Sequence, residues 1–225
     1  MTTNREVFNQ IAESWYRVRH WPLLKKELEE VAARWQSGKL LNVGCAHGPE
    51  FLSFSQGFEL WGVDSSPAML KQALRYSAKF KLYVNITAAD ALFLPFSNNT
   101  FDWAISVATY HHIKGREERE KAFTELKRVM KPQGEAFLTV WNYGQPRFWL
   151  KSKEQQVPWR LKEKTVYRYY HLFSYGELRK LLTKSGWEII SMLPEKSYHI
   201  PMVRSFSRNI CVLIRKPTTN RILAV

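Results

Sequence analysis

The chain has 225 residues, with 34 Lys plus Arg against 20 Asp plus Glu for a formal charge of +14, and it carries 9 Trp, 10 Tyr and 13 Phe. That length suits a single domain with a full core; no run of 18 apolar residues occurs, and the start, Met1-Thr2-Thr3-Asn4-Arg5-Glu6, lacks a signal-peptide pattern. Cys45 and Cys211 are far apart and outside any metal-ligand spacing, so a cytoplasmic protein with no metal, no membrane span and no disulfide scaffold is expected. Excess cations among many rings point to an anionic partner that offers stacking faces.

In chain order, residues 1–21 read as an amphipathic lead-in helix, with Val7, Phe8, Ile11, Ala12 and Trp15 at helical spacing. The domain itself is expected over 22–225. Short β-rich runs then alternate with longer helical stretches, which predicts an α/β fold: a Rossmann-like, seven-stranded, mainly parallel sheet flanked by helices. Strands are expected at 40–43, 58–63, 82–87, 103–107, 136–141, 187–193 and 210–214, and helices at 22–35, 67–77, 116–130 and 175–184. Ser174 and Glu177 predict a capping box at the last helix, while Pro132 and Gly134 should end the third and let the sheet resume at Glu135.

The first strand runs into Asn42-Val43-Gly44-Cys45-Ala46-His47-Gly48, a small-residue turn of the kind that admits a ligand at the carboxyl ends of strands. Ala46 and Pro49 break the dinucleotide fingerprint, and no Gly-Lys-Ser/Thr follows to make a P-loop. Asp64 and Ser65 close the second strand, where a carboxylate accepts ribose hydroxyls. Asp90 and Ala91 close the third, where a carboxylate suits an adenine amine, and Val107 closes the fourth. These ends, with Asn42, Gly44, Ala46 and Gly48, describe an adenosine site without a phosphate grip, as S-adenosylmethionine requires.

Asp90 followed by Leu92-Phe93-Leu94-Pro95-Phe96, then Asn98-Asn99-Thr100-Phe101-Asp102, resembles the class I S-adenosylmethionine-dependent methyltransferases over roughly residues 38–141. Four further matches resemble the tRNA methyltransferases that esterify 5-carboxymethyluridine at the wobble position. They are Val7-Phe8-Asn9-Gln10-Ile11-Ala12 with Arg17 and Trp21-Pro22; Ser106-Val107-Ala108-Thr109-Tyr110-His111-His112 leading to Arg116-Glu117-Glu118-Arg119; Val140-Trp141 with Gln145 and Val157-Pro158-Trp159; and Arg168-Tyr169-Tyr170-His171-Leu172-Phe173 before Gly176-Glu177-Leu178. The resemblance implies methyl transfer to a tRNA anticodon loop and, for many members, a small zinc-bearing activator subunit. The chain departs from the family at Asn42 and Ala46, where an acidic residue and a glycine are usual, and at Ser205-Phe206-Ser207-Arg208-Asn209, where an aromatic and acidic segment is usual.

Arg17 is the expected bidentate clamp for the acceptor carboxylate, and His112 and Tyr170 are expected beside the acceptor. Adjacent histidines in an extended segment face opposite ways, so at most one of His111 and His112 should enter the site. Residues 142–173 are expected to form a substrate-binding insertion. They hold Arg147, Lys151, Lys153, Arg160, Lys162, Lys164 and Arg168 against Glu154 and Glu163, interleaved with aromatics such as Trp159 and Tyr170, which suits single-stranded RNA. Six more cations follow from residue 196 onward. Methylation of a small metabolite and a non-catalytic binding subunit are the alternatives.

Overall fold

The computed structural model describes residues 2–197 and 206–218. In chain order the elements are α1 (Asn4–Val18), α2 (Lys25–Trp35), β1 (Gly38–Val43), β2 (Phe58–Asp64), α3 (Pro67–Phe80), β3 (Val84–Ala88), β4 (Phe101–Val107), α4 (Arg116–Val129), β5 (Met130–Trp141), β6 (Glu154–Arg160), β7 (Thr165–His171), α5 (Tyr175–Lys184), β8 (Glu188–Pro194) and β9 (Asn209–Arg215). All seven expected strands enter one sheet of order β3-β2-β1-β4-β5-β9-β8. Strands β1 to β5 run parallel, and β9 is antiparallel to both β5 and β8.

The central strands read as continuous apolar runs because both sheet faces are covered. Leu41 and Val43 point into a core closed by Phe123, Leu126, Leu178 and Leu182 of α4 and α5. Leu40 points the other way, into a core closed by Leu28, Val31 and Trp35 of α2, by Leu70 of α3, and by Phe51 and Phe54 of a 3-10 turn, Pro49–Phe54. β1 lies between β2 and β4, so chain order reverses there and a crevice opens at the carboxyl ends of the strands.

Several local expectations shift. Helix α4 stops at Val129, and β5 starts at Met130, paired with Phe101, before Pro132 and Gly134 rather than after them. A Cβ at Gly134 would stand 2.8 Å from the Asp102 carbonyl oxygen, which is why the strands can close there. At α5, Ser174 Oγ accepts the Glu177 N–H at 3.3 Å, but the reciprocal half of the capping box is missing. The Glu177 carboxylate is taken instead by His171 Nε2 at 2.6 Å and Lys153 Nζ at 2.7 Å, which pull it down to about 2 and tie β7 to α5. A true capping box starts α1, between Thr3 and Glu6.

Within 142–173 no strand was expected, yet β6 and β7 form a separate antiparallel hairpin. Its signal was the alternation Gln155, Val157, Trp159, whose side chains are half-buried between exposed neighbours. Helix α1 packs Val7, Ile11, Ala12 and Tyr16 inward, with Val7, Ile11 and Ala12 meeting Met69 of α3. Phe8 and Trp15, partly buried against this core, also line the crevice. No described helix is long and apolar enough to cross a membrane.

Candidate active site

The crevice is a cleft of about 750 Å³ at the strand tips, walled by α1 on one side and by Trp141, Tyr170 and Arg208 on the other. Its floor is the loop 44–48. Gly44 has φ +73, and a Cβ there would lie 2.2 Å from Thr109 Cγ2, so glycine alone fits. Ala46 sits in the left-handed region at φ 46, held by its N–H donating to Asp64 Oδ2 at 2.9 Å. Asp64 Oδ1 accepts from Ser66 N–H at 2.8 Å, so this carboxylate laces the loop to the start of α3 while burial raises its pKa. Asp90, exposed at the tip of the neighbouring strand, accepts the Leu92 N–H at 2.9 Å.

Of the residues singled out from sequence, Gly44, Ala46, Asp64, Ser65, Asp90, Ala91, Val107, His112 and Tyr170 all line this cleft. Three do not. Asn42 is buried within the sheet, its Nδ2 without a hydrogen-bond partner. Gly48, the last residue of the loop, does not line the cleft; its left-handed φ of 85 starts the turn Pro49–Phe54. Arg17 projects from the far side of α1, 70% exposed and paired with Glu13 at 3.3 Å.

Arg19, two residues further on, is the arginine of this segment that lines the cleft. The helix ends at Val18, and the Arg19 backbone turns extended, φ −128 and ψ 90. His47 Nε2 donates to the Arg19 carbonyl, and the Tyr76 hydroxyl donates to the His20 carbonyl at 2.6 Å. Burial pushes His47 down to about 4, so it stays neutral in this role. These contacts lay the Arg19 guanidinium 4.3 Å over the Trp15 ring, inside the cleft. The four-residue spacing from Trp15 is the signal that favours Arg19; Arg17 is two residues on and faces away.

At the other end, His111 and His112 lie on a 3-10 turn, Tyr110–His112, not in an extended segment. Only His112 of the two lines the cleft, and both rings pack on Tyr170, at 4.7 and 4.4 Å. His112 Nδ1 donates to the Tyr169 carbonyl at 3.0 Å, which leaves Nε2 as an acceptor. Burial pushes this imidazole down to about 3, so it is neutral at physiological pH. Asn4 fixes the assembly: its Nδ2 donates to the carbonyls of His112 and Tyr169 at 3.1 and 2.9 Å, and its Oδ1 accepts from Tyr169 N–H at 2.8 Å.

The Tyr170 hydroxyl accepts from Arg168 at 3.0 Å, and Arg19 and Arg208 add positive potential at the same phenol. Arg168 is only 6% exposed, sandwiched by the Trp15, Trp159 and Tyr170 rings, so it acts on the cleft through that hydroxyl. Arg208 lies 5.6 Å over Trp141. The basic aromatic segment thus divides in two. Arg168 and Lys153 are used inside the fold, and Trp159 packs on Trp15 and donates to Ser14 at 2.9 Å, whereas Lys151, Arg160, Lys162 and Lys164 are exposed with Trp149 and Tyr167. Ser205 and much of the basic tail, 198–205 and 219–225, lie outside the described residues.

A methyltransferase-domain family model matches residues 41–138. A protein of Encephalitozoon cuniculi with a provisional methyltransferase name is 31% identical over 186 residues, covering 77% of this chain and 80% of its own. The Schizosaccharomyces pombe tRNA (carboxymethyluridine(34)-5-O)-methyltransferase is 26% identical over 213 residues, covering 82% and 88%. The protein of that name from Saccharomyces cerevisiae is 30% identical over 163 residues, covering 69% of this chain and 56% of its own. Among solved structures, the CcbJ methyltransferase of Streptomyces caelestis superposes with a TM-score of 0.77 at 16% identity, over 96% of this chain and 99% of that one. An S-adenosylmethionine-dependent methyltransferase from Clostridium acetobutylicum gives 0.73 at 16% identity, over 94% and 100%. With the sheet order, the strand-tip cleft and these relatives in agreement, the chain belongs to the class I methyltransferases, and S-adenosylmethionine is its cofactor.

Proposed function

We propose that this methyltransferase esterifies the carboxymethyl group of 5-carboxymethyluridine at the wobble position of tRNA. The observation that carries the reading is the acceptor end of the cleft, where Arg208 and an Arg168-bonded Tyr170 hydroxyl meet an aromatic wall of Phe8, His112 and Trp141. A planar base stacks on such rings, and an anionic side chain is drawn to the guanidinium groups. The names of the fission-yeast and budding-yeast relatives support the same substrate.

The residues present suit the cofactor: Asp64 and Asp90 stand on adjacent strand tips, spaced for ribose and adenine beside the glycine floor at Gly44. Bound there, S-adenosylmethionine supplies an electrophilic methyl group on a sulfonium. A carboxylate oxygen would take that carbon in line as its bond to sulfur breaks and S-adenosylhomocysteine leaves, so no base would be needed, and the protein contributes alignment and charge placement. His112 Nε2, held as an acceptor, receives an N–H of the uracil ring, and Arg208 with Tyr170 orients the carboxylate while one oxygen stays free to attack.

Residues 142–173 serve as the RNA-binding insertion through their exposed half. Replacing Lys151, Arg160, Lys162 and Lys164 together is expected to weaken tRNA binding and flatten its salt dependence by up to about 3 in logarithmic slope, at roughly 0.7 per phosphate on single strands. Cofactor binding should not change. The activity itself is tested by incubating the protein, alone and with a small zinc-bearing activator subunit, with cofactor and tRNA carrying 5-carboxymethyluridine, then analysing nucleosides by mass spectrometry. The methyl ester is the expected product; its absence in both arms would refute the substrate.

A further inference from the structure

Glu50 is a carboxylate in the cleft that the acceptor chemistry does not use. It sits on the turn Pro49–Phe54, immediately beyond the cofactor loop, lines the cleft and is only 8% exposed. Burial raises its carboxyl, and the backbone at Glu50 and Leu23 and the charge of Arg19 offset this only in part. Arg19 is near enough for each to shift the other's pKa, yet among the described residues the two form no ion pair. Two groups that feel its charge are neutral, because burial raises the Tyr76 phenol and the Cys45 thiol, and Asp64 adds a second carboxylate near Cys45. A buried carboxylate without a direct counter-charge is costly, and here one cation and one anion are held apart in the same cleft.

The sheet order acts as a ruler for what lies between them. Asp90 is at the tip of β3 and Asp64 at the tip of β2, so an adenosine laid across them places its 5′ substituent over β1, beside Gly44, Arg19 and Glu50. That substituent ends in an ammonium and a carboxylate. We propose that Glu50 holds the α-ammonium of S-adenosylmethionine and Arg19 its α-carboxylate, so that Glu50 supplies the negative charge that Asn42, buried away from the cleft, does not. An ammonium with three N–H donors satisfies Glu50, and a planar guanidinium matches the carboxylate. Arg19 then serves the cofactor, and the acceptor carboxylate falls to Arg208 and Tyr170.

The proposal rests on the cofactor and not on the tRNA reading, so failure to esterify tRNA would leave it standing. It is tested by calorimetric titration with three ligands: S-adenosylhomocysteine, its decarboxylated analogue, which keeps the amine, and 5′-methylthioadenosine, which lacks the amino-acid end. Glu50→Gln is expected to weaken binding of the first two about 10- to 100-fold, the loss of a charge-assisted hydrogen bond, and to leave methylthioadenosine within about twofold of the parent. Arg19→Gln should weaken S-adenosylhomocysteine alone. Parental affinity of Glu50→Gln for S-adenosylhomocysteine, or an equal loss on methylthioadenosine, would overturn the assignment. A parent protein that binds the amine-bearing analogue no better than methylthioadenosine would overturn it without any variant.

Discussion

Glu50→Gln should stabilise the ligand-free protein at alkaline pH and change little in mild acid. Burial lifts the Glu50 carboxyl from its ordinary 4.5 to about 7. The folded state therefore binds this proton more tightly than the unfolded chain does. Stability from this group is complete below about pH 4.5 and is lost as pH rises through 7, by about 3 kcal/mol in total. The amide cannot ionise, so the variant escapes that loss. His47 and His112, buried neutral at about 4 and about 3, push the other way, since the protein loses stability as the pH falls below their ordinary 6.5. They are common to both proteins, so the difference between variant and parent isolates Glu50. Urea unfolding without ligand, from pH 4.5 to 8.5, should show a difference that grows by about 1.4 kcal/mol per pH unit and levels near 3, or roughly 6–12 °C in melting temperature. Saturating S-adenosylhomocysteine should shrink the advantage. A difference that is flat or falls with pH would show that Glu50 is not held out of water, and the reasoning would fail.

Other perturbations separate the parts of the site. Arg17→Ala should leave cofactor binding and turnover near parental values, whereas Arg208→Ala should cut turnover on carboxymethylated tRNA about tenfold or more with cofactor affinity intact; steady-state kinetics decides, and a large loss in Arg17→Ala would return the clamp to the outer face of α1. Asp64→Ala should weaken S-adenosylhomocysteine binding by about 1–3 kcal/mol and also lower the melting temperature, because the Ala46 and Ser66 N–H groups lose their acceptor. Asp90→Ala should affect binding alone, and equal melting temperatures for the two variants would contradict the lacing role. Ala46→Gly should raise stability by about 0.5–1 kcal/mol, since the left-handed φ of 46 strains any residue with a Cβ; calorimetric melting measures it, and a loss would show that the methyl group packs for more than its strain.

Much of the fold was legible in the chain itself. Apolar runs such as Leu40 to Val43 marked the central parallel strands, because a strand covered on both faces has no solvent side. Strand tips open onto the crevice in such sheets, so the placement of Asp64, Asp90 and Gly44 along the cleft was readable before any coordinates. The β6–β7 hairpin was not, since its charged outer face masked a weak alternation at Gln155, Val157 and Trp159.

Tertiary structure alone decided which of the remaining side chains meet. Arg17 and Arg19 are chemically equivalent in the sequence; two hydrogen bonds, from His47 and Tyr76, turn the chain after Val18 and send Arg19 into the cleft while Arg17 stays in solvent. His112 and Tyr170 are joined by Asn4, at the opposite end of the chain, through three bonds that no local pattern encodes. Asn42 was expected at the ligand and is buried in the sheet, while Glu50, unremarked in the sequence, reaches the cleft because the turn after Gly48 carries it back there. Local periodicity specifies which face of an element is apolar. The direction of a polar side chain at the end of an element depends on the partner that satisfies the backbone there, and that partner is supplied by folding.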